Sequence, residues 1–224
     1  MTGLLEYDLG GGVRAFTAGR DVQLPCSVVQ PHQTHSTVVA HVDRPGLTRE
    51  ELEGVDALVT ELPDVAIGVR TADCIPVLLY DPVHRAIGAV HSGWRGTVNK
   101  ISKKTVMEMC RLFGTPPEDI RAVIGPGIGY DSFQVGEEVS LTFKESGFPI
   151  DKIWSFRGAR KKGSMEGGHH IDLKECVRFS LSECGVPLSN IRVSGIDTYT
   201  DDRFYSARRE GISCGRNINA IMLI

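Results

Sequence analysis

The chain has 224 residues, a formal net charge of −3 and 41% hydrophobic residues. That apolar share supports a packed core and argues against disorder, while the charge gives no electrostatic case for a nucleic-acid partner. No apolar run approaches the roughly 20 residues of a membrane helix, and Met1 to Gly12 lacks a basic segment followed by an apolar core, so neither a membrane span nor a secretory signal is expected. The six cysteines, at 26, 74, 110, 176, 184 and 214, show no small-domain disulfide spacing. Reduced thiols in a cytoplasmic protein are the expectation.

In chain order, Gly10-Gly11-Gly12 is a turn and Val13 to Thr17 alternates as a strand. His35 lies just before, or at the start of, a β-branched strand over 37–42. Val55 to Thr60 and Val65 to Val69 are two further short strands around Leu62-Pro63-Asp64. Cys74 to Tyr80 and Ala86 to Val90 are apolar runs separated by the turn signal Asp81-Pro82. If these two are antiparallel neighbours, Asp73-Cys74 opens one and His91 closes the other, so Cys74 and His91 meet at one edge of the sheet.

Ser92 to Thr97 is a glycine-bearing turn that feeds a helix. Val98, Ile101, Thr105, Met109 and Leu112 repeat at steps of three and four, with Thr97 as N-cap and Gly114 just past the end. Backbone N–H groups at such a helix start can bind an anion. Ile120 to Ile124 is a strand ending in Gly125 to Gly129, a rigid and exposed turn. A second helix spans Gln134 to Ser146, and Ile153 to Phe156 is a strand. Arg160-Lys161-Lys162 lies in a basic loop. Asp172 and Glu175 form a capping box for a third helix that runs to about Cys184, with Gly185 as its stop. Cys110 and Cys176 fall inside helical patterns as small core residues. Ile191 to Ile196 and Ile218 to Ile224 are strands. Many short strands with three helices give an α+β layered fold. No repeat or linker divides residues 1–224, which read as one domain.

His35, Cys74 and His91 are soft or borderline ligands from separated segments, near strand ends. Two imidazoles and a thiolate suit Zn²⁺, or copper, better than Mg²⁺ or Ca²⁺, and three protein ligands leave one tetrahedral position open. The spacing is not that of a zinc finger, so ordinary partly buried histidines and a core thiol are the competing account. Asp73 is either a general acid/base or a turn cap. Arg70 and Arg95 are either phosphate ligands or surface arginines. Trp94 either stacks on a purine or packs in the core. The Arg160–Lys162 loop either closes over an anionic substrate or is solvated. His169-His170 are structural, and His32, His41 and His84 have no motif around them.

Three motifs, Gln33-Thr34-His35-Ser36, Thr71 to Val77 and Ala89 to Thr97, together resemble the YfiH/YlmD family, also called the laccase-domain or polyphenol oxidase family. Val55 to Thr60, Ile124 to Gly129, Val135 to Val139 and Phe204 to Gly211 extend the resemblance over nearly the whole chain. It implies a single domain with stacked mixed sheets between helices, and a zinc site at His35, Cys74 and His91. It also implies a purine nucleoside phosphorylase acting on adenosine, inosine and methylthioadenosine with phosphate, with adenosine deamination attributed as well. An older description makes the family copper-dependent polyphenol oxidases. Cys74 and His91 also suit a metal-free cysteine hydrolase, since the fold is similar to that of a bacterial toxin deamidase, and a non-catalytic binding role is a further alternative. The chain departs from the family pattern in a short segment between Arg20 and Gln33, at Tyr130-Asp131-Ser132 and at Asp197-Thr198.

Overall fold

The computed structural model describes residues 3–157 and 167–224, so the Arg160–Lys162 loop lies outside the described residues. The first eight strands are β1 (Leu4–Tyr7), β2 (Val13–Ala18), β3 (Val28–Val29), β4 (Val38–His41), β5 (Val55–Thr60), β6 (Ala66–Thr71), β7 (Ile75–Asp81) and β8 (Ala86–Ser92). Helices α1 (Trp94–Val98) and α2 (Ile101–Phe113) follow, then β9 (Arg121–Ile124), β10 (Gln134–Val135), α3 (Glu137–Glu145) and α4 (Ile150–Ile153). The rest comprises β11 (Trp154–Arg157), β12 (Gly168–Ile171), α5 (Leu173–Glu183), β13 (Ile191–Val193), α6 (Ala207–Glu210) and β14 (Asn217–Leu223).

The strands form a six-stranded sheet in the order β13-β9-β7-β8-β5-β4, a five-stranded sheet β1-β2-β14-β6-β3, and a small sheet β10-β12-β11. The fold is α+β with stacked mixed sheets, as expected. All seven residues of β7 and all seven of β8 are buried, which explains why they read as near-continuous apolar runs: both faces of their sheet are covered. Alternation divides the faces. Val77, Leu79 and Val90 pack with Ile101, Val106 and Met109 of α2 and with Cys176, Val177 and Leu181 of α5. Leu78, Tyr80, Ile87 and Ala89 pack with Ile67, Val69, Ile221 and Leu223 of the five-stranded sheet. Burying this much apolar surface, at about 25 cal/mol per Å², is the dominant favourable contribution to folding.

Several local expectations change. The helix after β8 is two helices, because Lys100 takes a left-handed conformation (φ 56°) between α1 and α2. Thr97 is therefore inside α1 rather than at an N-cap: its hydroxyl donates back to Gly93 O at 2.9 Å and meets Ser92 Oγ at 2.9 Å. Gly114 does end α2 in the left-handed region (φ 71°). Gln134 and Val135 are not helical, since they pair with His170 and His169 in the small sheet, and α3 starts only at Glu137. Ile153 closes α4 before the strand begins. Asp172 caps α5 by accepting from Glu175 N at 3.0 Å, but Glu175 turns to Arg178 instead of completing the box.

Gly125 to Ile128 of the turn after β9 are buried, not exposed, and Gly129 is half-buried. The turn lies beneath the Asp73-Cys74 corner, where Gly125 N donates to Pro76 O and Ile128 N to Asp73 O. A Cβ on Gly127 would come within 2.5 Å of Ile75 Cδ1 and 3.1 Å of Asp73 O, so glycine allows this close approach.

Candidate metal centre

Strands β7 and β8 pair antiparallel, with Ile75 opposite Ser92 and Pro76 opposite His91. This register puts Cys74 and His91 at one sheet edge, as expected from two antiparallel neighbours. His35 arrives on the loop between β3 and β4. The three potential ligand atoms lie within 4.8 Å of one another. Cys74 Sγ is 3.8 Å from His35 Nε2, and the two imidazole rings meet edge to face with centroids 4.9 Å apart.

Asp56, which no ligand motif marks, organises the cluster. It lies on β5, fully buried, one residue before the Ala57–Val90 antiparallel pair, so it sits beside His91. Its carboxylate accepts from His91 Nδ1 at 2.6 Å and from the backbone N–H groups of Thr34, His35 and Ser36 at 3.1, 3.1 and 2.8 Å. Burial alone would raise its pKa, but the His91 and backbone hydrogen bonds outweigh that and hold the carboxyl below its usual range. With Nδ1 committed, His91 offers Nε2 to the cavity, the arrangement by which a carboxylate orients a metal-binding histidine. One signal was available: Asp56 is the single charged residue in the apolar run Val55 to Thr60.

Two further contacts set the geometry. The Gln33 side chain acts as a strand partner for Arg70, donating from Nε2 to Arg70 O and accepting from Arg70 N, each at 2.8 Å. It ties the His35 loop to β6. Both His35 (φ 63°) and Asp73 (φ 84°) occupy the left-handed region, a strained conformation that the surrounding contacts must hold.

The electrostatics couple Cys74 to His91. Burial alone would raise the Cys74 thiol, but the His91 charge and the His35 hydrogen bond bring it down to about 6. Burial alone would lower His91, but the charge of Cys74 and the hydrogen bond to Asp56 raise it to about 9. A thiolate beside an imidazolium is the favoured pair, so a cation need displace only the His91 Nε2 proton. The donor set of two imidazoles and a thiolate, at this spacing, fits a borderline or soft transition-metal ion rather than Mg²⁺ or Ca²⁺.

The other expected site residues fall differently. Arg70 lines a cavity of about 620 Å³ together with His35, Cys74 and His91. Arg95 does not line it: it is exposed on α1 and stacks over the Trp94 ring at 4.4 Å, while Trp94 itself packs against the core. Asp73 also lies outside the lining. Its Oδ1 accepts from Thr198 Oγ1 at 2.7 Å and its Oδ2 from Arg208 N at 2.6 Å, at the start of α6. Both oxygens are thus engaged in a clamp, which fits the turn-cap reading rather than the acid/base one. Arg49 and Arg216, which no motif marked, line the cavity instead.

Two of the departures from the family pattern meet each other. Ser132 Oγ donates to Asp197 Oδ2 at 2.6 Å, and Asp197 Oδ1 accepts from Gly129 N and Tyr199 N. This pair braces the glycine turn and does not line the cavity.

A family model described as multi-copper polyphenol oxidoreductase laccase matches residues 14–224, and the chain belongs to this family. It is 44% identical over 208 residues to a purine nucleoside phosphorylase of Bacteroides thetaiotaomicron, spanning 90% of this chain and 75% of that one. It is 42% identical over 201 residues to adenosine deaminase RL5 from an unknown prokaryotic organism, spanning 87% and 74%. Among solved structures, the hypothetical protein YfiH of Bacillus licheniformis superimposes with a TM-score of 0.83 at 27% identity, covering 95% of this chain and 93% of that one. Among the described residues, no helix is long and apolar enough to cross a membrane.

Proposed function

We propose that this chain is a zinc-dependent purine nucleoside phosphorylase that cleaves adenosine, inosine or methylthioadenosine with phosphate, and that it also deaminates adenosine. The observation that carries the reading is the convergence of His35, Cys74 and His91, held by Asp56, on one cavity of about 620 Å³. The names of the phosphorylase and deaminase relatives support the same chemistry. A zinc ion held by these three residues would supply Lewis-acid polarisation beside the bound nucleoside. The chain's own residues do the rest. Asp56 fixes the His91 tautomer, and Arg70 holds the attacking phosphate. In phosphorolysis an oxygen of hydrogenphosphate bonds to C1′ as the C1′–N9 bond breaks, and the proton that the phosphate gives up is the one the leaving purine takes, so ribose 1-phosphate and the free base balance.

Incubation of zinc-loaded protein with adenosine and phosphate tests this. Adenine and ribose 1-phosphate are the expected products, with inosine reporting deamination. Absence of ribose 1-phosphate removes the phosphorylase reading.

The thiol at about 6 beside His91 favours one second reading, a metal-free cysteine hydrolase with Cys74 as nucleophile and His91 as base. Turnover that survives chelators but is lost on thiol alkylation would select it.

A further inference from the structure

The cavity beside His35, Cys74 and His91 is lined by three arginines, Arg49, Arg70 and Arg216, and by no carboxylate. They come from separate segments: the loop before β5, strand β6 and the loop before β14. Several arginines elsewhere are paired with carboxylates, as in Arg14 with Glu6, Arg20 with Glu210, Arg178 with Glu175 and Arg203 with Asp201. None of the three cavity arginines forms an ion pair among the described residues. Arg216 donates to the carbonyls of Ile212 and Gly215 at 2.8 and 3.0 Å, which satisfies its N–H groups without cancelling its charge. Arg70 is half-buried, and burial, with the charges of Arg49 and Arg216 added, holds its guanidinium below the ordinary arginine range. Gathering like charges without a counter-ion costs stability. An anionic ligand removes that cost.

We propose that Arg49, Arg70 and Arg216 form a subsite for the dianionic group of a phosphate monoester, either a sugar phosphate or a nucleoside 5′-phosphate. Three guanidiniums match the charge and the multiple acceptor oxygens of such a group. A free anion would fill a small part of about 620 Å³, a volume typical of pockets for larger organic ligands. Ile212, 86% exposed on the cavity wall, offers an apolar contact that inorganic phosphate cannot use. The assignment rests on reading this cavity as the substrate pocket, but not on bond cleavage.

The test is calorimetric titration and thermal unfolding of the zinc-loaded protein at constant ionic strength. The probes are inorganic phosphate, ribose 5-phosphate, adenosine 5′-monophosphate and adenosine, with chloride as the control. Adenosine 5′-monophosphate is expected to raise the unfolding temperature saturably and to bind roughly tenfold more tightly than adenosine or inorganic phosphate. The single variants R49Q, R70Q and R216Q should each weaken it roughly tenfold, and R49Q and R216Q should leave adenosine binding nearly unchanged. The unliganded triple variant should unfold no lower than the parent, because repulsion is relieved; if it does not fold, the single variants decide. A response no larger than that to chloride, or equal affinity in the variants, overturns the subsite. Inorganic phosphate binding as tightly as the esters overturns the ester assignment. Failure to form ribose 1-phosphate from adenosine would defeat the proposed phosphorolysis and leave this binding result standing, and a flat titration would do the reverse.

Discussion

Asp56 accepts a 2.6 Å hydrogen bond from His91 Nδ1 and, with the same carboxylate, holds the backbone of His35. One buried side chain thus fixes two of the three candidate metal ligands, one through its ring and the other through its main chain.

Replacing Asp56 by asparagine tests that relationship. The amide nitrogen would face a backbone N–H or the His91 Nδ1–H, so at least one donor loses its acceptor. D56N should bind zinc about 10- to 100-fold more weakly in a chelator competition. It should also lose roughly 2–4 kcal/mol of stability in denaturant unfolding, since buried donors are left unpaired. Unchanged zinc affinity would mean that the carboxylate is structural only.

Gly93 lies at the start of α1 with an ordinary extended backbone (φ −67°) that alanine can adopt. Yet a Cβ there would come within 2.9 Å of His35 Cδ2 and 3.1 Å of Cys74 Sγ. G93A should keep the fold and push those two ligands apart, reducing zinc bound per chain, as measured by elemental analysis, well below that of the parent. Full occupancy in G93A would show that the cluster can yield without losing its ion.

Asp73 was a candidate general acid, but its oxygens hold Thr198 and Arg208. D73N should lower the unfolding temperature, at a cost of roughly 1–3 kcal/mol. It should leave the shape of the pH–rate profile intact, even if the rate falls. Loss of the acidic or basic limb of that profile would restore Asp73 as a proton carrier.

Lys174 gives a pH dependence of stability. Its ammonium donates to Ser194 O and Ile196 O at 2.8 and 2.6 Å. Burial lowers its pKa from 10.5 to about 8, against the opposing pull of Asp197 and Asp172. Between those values the unfolded chain holds the proton and the folded one does not, so stability rises as pH rises from about 8 to 10.5. The contribution is at most about 3 kcal/mol. Urea unfolding at pH 7.5, 9 and 10.5 should show it, and K174M should remove that part of the slope. A parent curve flat or falling relative to K174M contradicts the assignment.

By itself the sequence determined the family, the α+β class and the pairing logic of β7 and β8. Continuous apolar runs are the mark of strands covered on both faces, and the motif residues sit in or beside them. It also named His35, Cys74, His91 and Arg70, because their residue types and places near strand ends point to one edge. Cys74 and His91 are 17 positions apart and linked by a short connection, so local reasoning reached them.

Only the tertiary structure decided what surrounds them. Asp56 and His91 are brought together by the β5–β8 register, which no local pattern encodes. Arg49 and Arg216 reach the cavity from loops whose course depends on packing. Asp73 and Arg95 looked alike as candidates, since each flanks a motif ligand. What separates them from Arg70 is side-chain direction: one carboxylate turns to the start of α6, one guanidinium turns to the Trp94 ring, and neither choice can be read before the chain has folded.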